Sequence, residues 1–362
     1  MDHPARQRRL RAALSENKLD FLLVTHLPNI RYLCGFTGSA GALLLNPEGA
    51  TIFTDGRYRT QAREEVSGAR ITIAAKAPIL AAAEAMQRKR TRGSFRLGLE
   101  GHSLTIAQRD LLSATLPGKW KLVSAPPLVE RARMVKDAGE LRSIRAAVGL
   151  GAGLFPVLRR KLRPGAREVE VAAALEFAAR RAGAEGMSFS TIIAAGRRSA
   201  VVHGRASQAR IPRRGFVVCD FGVILAGYCS DRTRTVHVGH PDRQARRIYQ
   251  AVLAAQQAAI DQVRAGAGAA TVDEAARKVL RKSNLAQYFT HSTGHGLGLE
   301  IHEAPRLAAG QTQLLESGMV ITIEPGVYIP GRCGVRIEDV VVVTSRGCEV
   351  LAPTDKELVV VE

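Results

Sequence analysis

The stretch Phe216–Thr235 reads FVVCDFGVILAGYCSDRTRT and carries two aspartates on what we expect to be a β-hairpin. An apolar strand ends at Asp220, and the strand after the turn carries Asp231. A turn centred on Leu225 and Ala226 pairs position 220 with position 231, so we expect the two aspartates to face each other. Opposed carboxylates repel unless cations lie between them, and a pair of divalent ions about 3.5–4 Å apart is one such arrangement. The alternative is a protonated or solvated acidic pair at a turn.

A second group of polar residues follows in the stretch His291–Arg306, which reads HSTGHGLGLEIHEAPR. It places three histidines and two acids among glycines that allow close approach of the backbone. The zinc motif HExxH is absent, because Pro305 would break the helix that this motif requires. In a straight strand His295 and His302 would lie on opposite faces, so the chain must bend between them if both serve one site.

The last acidic pair repeats the design of the first hairpin. An apolar strand at 319–323 ends at Glu324, a glycine-containing turn follows, and the next strand carries Arg336 and Glu338. Together the segments offer carboxylates and imidazoles without thiolates, a ligand set that suits Mn, Co, Fe or Zn in a bridged pair. Four carboxylates nearly neutralise two divalent ions, which explains how so many acids are tolerated near a core.

The composition bounds the class of protein. With 362 residues, 46% of them hydrophobic, the chain can bury one large core or two smaller ones. No apolar run approaches the roughly 18–20 residues of a membrane span and the N-terminus has no signal-peptide core, so we expect a cytoplasmic protein without a membrane partner. Five cysteines without a CxxC pair indicate neither disulfides nor a structural zinc site. The net charge of +19 comes mostly from scattered arginines with no nucleic-acid motif, so we expect weak adhesion at low salt and no specific nucleic-acid partner.

The order of helices and strands indicates two domains. The first third alternates the two, with strands at 21–25, 42–45 and 51–54 and a helix at 79–90 among them. This pattern predicts a compact α/β domain over 1–127, to which we assign a supporting role because it holds no cluster of ligands. Pro126 and Pro127 interrupt the pattern, and we place a linker at 128–137. A second domain at 138–362 begins with a helix at 138–162 and carries all the acids and histidines above.

These motifs resemble those of the pita-bread metallopeptidases, the group that contains aminopeptidase P, prolidase and, more distantly, methionine aminopeptidase. The matching segments of the C-terminal half are CDFG with GYCSDRTRT, then GHGLGLEIHEAP, IEPG and RIED. Upstream, NIRYLCGFTGSAG (Asn29–Gly41) and TDGRY (Thr54–Tyr58) are similar to the N-terminal domain of the Xaa-Pro branch, which methionine aminopeptidases lack. The resemblance implies an α/β (α+β) chain in which a creatinase-like N-terminal domain precedes a pita-bread catalytic domain. It also implies a dinuclear metal-dependent enzyme that hydrolyses the bond between an N-terminal residue and proline.

The resemblance assigns roles to individual residues. Two divalent ions, with Mn²⁺ favoured and Co²⁺ or Zn²⁺ as alternatives, would be held by Asp220, Asp231, His295, Glu324 and Glu338. Glu324 would also relay a proton to the leaving proline nitrogen after attack by a metal-bridging hydroxide. The catalytic histidines that are not ligands match His203, His291 and His302. The substrate-binding positions match Arg306, Arg336 and Tyr228, with Arg336 also steadying the ligands beside it.

Several questions stay open from the sequence. The proline-containing substrate is either a dipeptide, as for prolidase, or a longer peptide, as for aminopeptidase P. Arg306 slightly favours a dipeptide, because a guanidinium group suits a free carboxylate. A homodimer is expected by resemblance. The alternative function is a catalytically inactive pita-bread protein that binds through its basic surface, although all five ligand positions hold the expected residue types.

Overall fold

The computed structural model describes residues 1–88 and 93–362, and these divide into two compact units, Met1–Arg133 and Met134–Glu362. The boundary falls inside the predicted linker 128–137, most of which is a helix, Leu128–Met134, rather than irregular chain. The end of the helix predicted over 79–90 lies outside the described residues. Both units mix helices and strands, as the sequence predicts.

The N-terminal unit is built on a mixed six-stranded sheet. In chain order its strands are β1 (Phe21–Val24), β2 (Ala42–Asn46), β3 (Gly49–Asp55), β4 (Arg70–Ala74), β5 (Phe95–Glu100) and β6 (Trp120–Ala125). Its helices are α1 (His3–Glu16), α2 (Leu27–Cys34), α3 (Arg59–Glu65), α4 (Pro78–Gln87), α5 (Ile106–Thr115) and α6 (Leu128–Met134). The strand order is β4-β3-β2-β1-β5-β6, so the fully buried β1 lies near the centre, where its apolar sequence FLLV is suited.

The C-terminal unit contains the remaining elements. Its helices are α7 (Ala138–Gly153), α8 (Phe155–Lys161), α9 (Glu168–Arg181), α10 (Arg243–Ile260) and α11 (Ala269–Lys282). The strands before α10 are β7 (Gly186–Met187), β8 (Ile192–Ala195), β9 (Gly215–Asp220), β10 (Val223–Leu225), β11 (Tyr228–Cys229) and β12 (Thr233–Val238). Those after α11 are β13 (Gly294–Gly296), β14 (Glu303–Leu307), β15 (Val320–Ile323), β16 (Gly326–Ile329), β17 (Cys333–Arg336), β18 (Asp339–Val343), β19 (Cys348–Val350) and β20 (Val360–Val361).

The strands of this unit form two larger sheets, β20-β12-β9-β8 and β14-β13-β15-β18-β19, and two smaller ones, β11-β10-β7 and β16-β17. Helices α10 and α11 bury apolar residues such as Val252 and Leu280 in one cluster with Ile321 of β15 and Val341 of β18. This cluster supports the strands that carry the second acidic pair. Burial of apolar side chains on one stripe of a helix is the main source of helix stability in such a layer.

The helix predicted over 138–162 is divided into α7 and α8 by Leu154, which precedes the Phe155-Pro156 pair. The stretch Ala138–Lys161 is, in the described part of the chain, the one helical segment that by length and average composition alone could span a membrane, although charged residues such as Glu140 and Arg145 interrupt it. Its Ile144 and Leu158 lie in apolar clusters of the C-terminal unit. That packing is typical of core helices.

Two long hairpins of similar design dominate the C-terminal unit. In the first, β9 pairs with β12, and after a break β10 pairs with β11. In the second, β15 pairs with β18, and after a break β16 pairs with β17. Each hairpin therefore leaves one sheet and enters another halfway along its length, while the pairing register is kept across the break.

The register of the first hairpin differs from the predicted one. Asp220 pairs with Thr233, and Leu225 pairs with Tyr228, so the turn consists of Ala226 and Gly227 alone. Both turn residues have positive φ angles, 50° and 77°, as a two-residue hairpin turn requires. The predicted turn was centred one residue too early, and the prediction that Asp220 and Asp231 lie directly opposite each other is wrong.

Candidate metal centre

The acidic residues lie where the two hairpins change sheets. Asp220 is the last residue of β9, and Asp231 lies in the gap between β11 and β12. Glu324 directly follows β15, and Glu338 directly precedes β18. Regular strand pairing is interrupted at these points, so the side chains are free to turn toward a common centre.

The breaks require close approach of the backbone. A Cβ atom on Gly222, which follows β9, would lie 1.9 Å from the carbonyl oxygen of Ser230. Only glycine fits at such a crossing. The close crossing brings the segment of Asp231 against the end of β9, which explains why the aspartates meet although their register differs from the predicted one.

The acids and one histidine converge on a single point. Asp220, Asp231 and Glu338 each offer a carboxylate oxygen, and these oxygens all lie within 4.8 Å of one another. His295 Nε2 lies 3.4 Å from Glu324 Oε1 and 3.6 Å from Asp231 Oδ2. The structure thus brings together all five residues for which the sequence predicts a role as ligands.

Two of the carboxylates carry oxygens without a donor. Within the described part of the chain, Asp220 Oδ1 and Glu338 Oε1 are buried and accept no hydrogen bond. Buried polar atoms are nearly always paired, because an unpaired one loses its hydration without compensation. Oxygens left free in a cluster of carboxylates are what a hard divalent cation binds, so the residues fit a metal site.

The charge of the cluster also indicates a metal site. Burial raises the pKa of Asp231 and of Glu338 well above the usual range, and repulsion from neighbouring carboxylates adds to both shifts. Burial raises the pKa of Glu324 to about 8, although Arg336 opposes the shift. Asp231, Glu324 and Glu338 therefore resist ionising together unless more positive charge is supplied, and divalent cations would supply it.

The tautomer of His295 is that of a metal ligand. Its Nδ1 lies 2.9 Å from the carbonyl oxygen of Gly296, which can only accept a hydrogen bond. The ring proton therefore sits on Nδ1, and Nε2 presents its lone pair to the carboxylates. Burial lowers the pKa of His295, which keeps the ring neutral. The same arrangement, with one ring nitrogen fixed by a carbonyl group, is usual for histidines that bind metals.

The chain bends between His295 and His302, as the sequence required if both serve one site. The pairing of β13 with β14 shifts register between His295 and Gly296, and residues 297–302 lie outside the strands. The two imidazole rings are 4.5 Å apart between centroids. A bulge of this kind re-aims side chains that a straight strand would place on opposite faces.

Arg336 is a buried support of the carboxylates. Its Nη2 lies 2.5 Å from Asp220 Oδ2, and its Nε donates to the hydroxyl of Thr233 over 3.0 Å. Thr233 in turn donates to Glu338 Oε2 over 2.7 Å. With 3% of its surface exposed, Arg336 orients the ligands. It also belongs to the lining of the cavity described below, so its predicted role in substrate binding stays a prediction.

His291 belongs to the same network. Arg336 Nη1 donates to the Tyr328 hydroxyl over 2.7 Å, and that hydroxyl lies 3.0 Å from His291 Nε2. Burial raises the pKa of Tyr328 to about 12, so the hydroxyl stays protonated and donates a hydrogen bond to the imidazole. Burial and the nearby Arg336 lower the pKa of His291 to about 4, so the ring is neutral. Both ring nitrogens are engaged, since Nδ1 donates to the Ser292 carbonyl over 2.8 Å.

Two further buried acids hold the segments that carry the histidines. Glu168 accepts hydrogen bonds from Ala195 N, Ser207 N and Arg198 Nε, which fixes both ends of the loop that contains His203. Asp273 accepts from the backbone and hydroxyl of Thr293, at 3.1 and 2.8 Å, between His291 and His295. Sequence reasoning missed both acids.

A cavity of about 620 Å³ opens onto the ligands. Its lining includes His203, His291, His302 and Arg306 as well as all five ligand residues. Tyr228 is not in this lining. It is 1% exposed, packs in an apolar cluster, and its hydroxyl lies 3.3 Å from Glu140, so its predicted role in substrate binding is not supported.

A buried cluster of four carboxylates and a histidine at the floor of a cavity defines a metal-dependent hydrolytic enzyme as the class of protein. The comparisons with known proteins then give the family. The model of metallopeptidase family M24 matches residues 142–345, and the creatinase/prolidase N-terminal domain matches residues 6–135.

Relatives of the chain extend over its whole length. The uncharacterized peptidase YqhT of Bacillus subtilis is 38% identical over 352 residues, 97% of this chain and 99% of the relative. The solved structure of an Xaa-Pro dipeptidase from Bacillus anthracis superposes with a TM-score of 0.94 at 38% identity, covering 99% of both chains. An X-Pro aminopeptidase from Thermotoga maritima superposes with a TM-score of 0.89 at 32% identity, covering 98% of this chain and 99% of that one.

The chain belongs to metallopeptidase family M24, in the branch that carries a creatinase/prolidase N-terminal domain. The predicted resemblance to the pita-bread peptidases of the Xaa-Pro branch, and the two-domain fold that it implied, are confirmed.

Proposed function

We propose that this metallopeptidase is a dinuclear enzyme that hydrolyses the bond between an N-terminal residue and proline, and that it prefers dipeptides. The observation that carries the proposal is the set of five converging ligands in which Asp220 Oδ1 and Glu338 Oε1 have no hydrogen-bond donor in the described structure. A cluster that served stability alone would have its buried oxygens paired.

The two ions would be held by Asp220, Asp231, His295, Glu324 and Glu338. We propose Mn²⁺, with Co²⁺ or Zn²⁺ as alternatives, because carboxylate and imidazole ligands without thiolates suit these ions. When bound, such a pair of ions lowers the pKa of a water molecule and polarises the carbonyl group of the substrate.

The residues around the centre have different proposed roles in catalysis. The side chain of Glu324 is 16% exposed, more than the 7% of Asp231 and the 10% of Asp220. We therefore assign it the transfer of a proton to the leaving proline nitrogen. His203 and His302 are exposed to the cavity, and we assign them hydrogen bonds to the carbonyl oxygen as its negative charge develops.

We assign His291 a positioning role. Its two ring nitrogens are engaged by Ser292 and Tyr328, and through Tyr328 it is linked to Arg336 and Asp220. The imidazole thus acts on the reaction through the orientation of a ligand.

The preference for dipeptides rests on Arg306. This residue pairs with His295 across β13 and β14, lines the cavity and is exposed. Its side chain makes no ion pair or hydrogen bond in the described part of the chain. A free guanidinium group beside the metal ligands suits the carboxylate of a C-terminal proline, and the Xaa-Pro bond itself is a tertiary amide that general peptidases handle poorly.

Hydrolysis of Ala-Pro and of Ala-Pro-Gly-Gly by the purified protein tests the proposal, before chelation, after chelation, and after reloading with Mn²⁺, Co²⁺ or Zn²⁺. We expect metal-dependent cleavage of Ala-Pro and slower cleavage of the longer peptide. Arg306→Ala should reduce kcat/KM for Ala-Pro about tenfold or more and leave the longer peptide less affected, because one charge-assisted hydrogen bond is lost.

Arg346→Ala is the matched control, since Arg346 is an exposed arginine away from the cavity. Equal losses on both substrates with Arg306→Ala would refute the preference for dipeptides and leave the peptidase proposal intact. Absence of any metal-dependent hydrolysis, together with salt-sensitive binding of nucleic acid, would instead favour the catalytically inactive protein that binds through its basic surface.

We also propose that the enzyme is a cytoplasmic homodimer, as expected from the resemblance. Light scattering coupled to gel filtration measures the mass of the particle in solution and tests the oligomeric state directly.

A further inference from the structure

Arg205 stands in the same row of the sheet as the metal ligand Asp220. Arg205 forms an isolated bridge with Ile192, Ile192 pairs with Asp220, and Asp220 pairs with Thr233. Residues paired directly across strands point to the same face of a sheet. Two strand spacings, about 10 Å, separate the Cα atoms of Arg205 and Asp220, and an extended arginine side chain covers much of that distance.

The side chain of Arg205 is available to a ligand. It lines the catalytic cavity and is exposed, and it makes no ion pair or hydrogen bond with any residue that the structure describes. Glu176 lines a neighbouring cavity together with Arg205 and is the one acid of that lining, but no ion pair joins the two. The N–H donors of this guanidinium group are therefore available to a substrate that lies beside the carboxylate-rich centre.

The backbone beneath Arg205 is fixed. Its carbonyl oxygen accepts a hydrogen bond from Arg198 Nη2 over 2.8 Å, and Arg198 Nε contacts the buried carboxylate of Glu168 at 3.0 Å. Glu168 also holds Ser207, two residues further on. The backbone from which the side chain projects is therefore held in place, so binding of a ligand orders the side chain of Arg205 and not the loop beneath it.

The cavity therefore contains two unpaired arginines that come from different sheets. Arg306 is next to His295 in the sheet of β13 and β14, whereas Arg205 is next to β8 in the sheet of β9. A dipeptide has one free backbone carboxylate, and the proposed function gives it to Arg306. Arg205 is then left without a partner on the dipeptide backbone, and the group whose charge it can distinguish is the side chain of the N-terminal residue.

We propose that Arg205 determines specificity at the residue before proline and favours acidic side chains, so that Glu-Pro and Asp-Pro are better substrates than Lys-Pro. This inference rests on the proposed Xaa-Pro peptidase function. It adds to that function the chemical class of the N-terminal residue.

The test measures kcat/KM for Ala-Pro, Glu-Pro, Gln-Pro and Lys-Pro in the metal-loaded wild-type enzyme and in the variants Arg205→Ala, Arg205→Lys and Arg205→Glu. Wild type should prefer Glu-Pro over its neutral isostere Gln-Pro. Arg205→Ala should lower the Glu-Pro to Gln-Pro ratio about tenfold, the effect of one charge-assisted contact, while Ala-Pro turnover changes little. Arg205→Lys should keep part of the preference, and Arg205→Glu should reverse it toward Lys-Pro.

Arg197→Ala is the matched control, because Arg197 is an exposed arginine on the same loop that does not line the catalytic cavity. It removes the same charge and should leave all ratios unchanged. Raising the ionic strength should reduce the wild-type preference for Glu-Pro, since screening weakens contacts between exposed charges.

Three outcomes would overturn the inference. One is an unchanged Glu-Pro to Gln-Pro ratio in Arg205→Ala, and a second is an equal change in Arg197→Ala. The third is a loss of Ala-Pro turnover in Arg205→Ala that equals the loss of Glu-Pro turnover, which would give Arg205 the backbone carboxylate instead. Absence of Ala-Pro hydrolysis in the wild type would refute the proposed function itself, and the Ala-Pro arm separates the two failures.

Discussion

Buried carboxylates occur in both units, but the groups that surround them differ. Glu100 in the N-terminal unit is 8% exposed and accepts hydrogen bonds from Thr25 N at 2.6 Å, His26 N at 2.8 Å and Asn29 Nδ2 at 2.7 Å. Glu338 in the C-terminal unit is 1% exposed, yet one of its oxygens has no donor among the described residues. The first acid is surrounded by donors, and the second is surrounded by other acids.

The difference shows how a structural acid is distinguished from a ligand. Burial raises the pKa of Glu100, and hydrogen-bond donors from Asn29, His26 and Thr25 oppose that shift, so its carboxylate ties β5 to the segment before α2. At Glu338, burial raises the pKa, and the neighbouring carboxylates of Glu324 and Asp220 raise it further. Such an arrangement is unfavourable for stability alone and becomes favourable when cations bind.

The largest expected effect comes from removing a ligand. Glu338→Gln keeps an oxygen that can accept from Thr233, but it removes one negative charge and one metal-binding oxygen. We expect kcat/KM for Ala-Pro to fall about 10³-fold or more and the metal content to drop, because the centre loses one of its ligands. The thermal stability of the metal-free variant should equal or exceed that of the wild type, since repulsion among the acids is reduced. Turnover, elemental analysis and calorimetry check the three points, and retention of full turnover and metal would contradict the ligand assignment.

The converse substitution sharpens the comparison. Glu100→Ala leaves the donors of Thr25, His26 and Asn29 without their acceptor, and we expect a loss of about 3 kcal/mol in the free energy of unfolding. Turnover of the folded protein should be preserved, because Glu100 belongs to no ligand set. Glu349→Ala is the control, since it breaks only an exposed ion pair with Arg145 and should cost well under 1 kcal/mol. Urea titration measures both, and equal losses would show that Glu100 has no special structural role.

The smallest effect is a dependence of stability on pH in the metal-free protein. The folded-state pKa of Glu324 is about 8, and those of Asp231 and Glu338 are also raised, mainly by burial. Between about pH 4.5 and 8 the folded protein therefore binds more protons than the unfolded chain, so its stability falls as the pH rises. We expect the Tm of the chelated wild type to fall between pH 5 and 8 by about 5 °C more than that of chelated Glu338→Gln. Differential scanning calorimetry at several pH values measures the slope of Tm against pH for both proteins. Equal slopes would show that the carboxylate cluster does not cause the pH dependence.

Much of the site could be predicted because its chemistry is concentrated in short motifs. Asp220 and Asp231 stand on one hairpin, Glu324 and Glu338 on another, and His295 among glycines, so residue types and spacing indicate a ligand set. The alternation of helix and strand likewise predicted the two-part architecture. Both predictions depend on local sequence, because side-chain periodicity and ligand chemistry can be seen in neighbouring residues.

Other features depended on contacts between distant residues. The two-residue turn at Ala226 and Gly227 set a register that the strand pattern alone did not specify, since alanine at positive φ is not a usual turn signal. Tyr228 stands within a matching motif but faces an apolar cluster, and motif membership does not reveal which way a side chain points. Glu168 has no signal in the sequence, because its partners Ala195 and Ser207 lie 27 and 39 residues away.

The sequence by itself determined which side chains could bind metal, the family to which the chain belongs, and the order of its two units, because those properties reside in residue identity and short-range spacing. Only the tertiary structure decided that two carboxylate oxygens lack donors among the described residues, that Arg336 is buried against the ligands, and that Arg205 shares a row with Asp220. These are properties of neighbours brought together by sheet pairing, and the free energy of a buried charge depends on its neighbours in space.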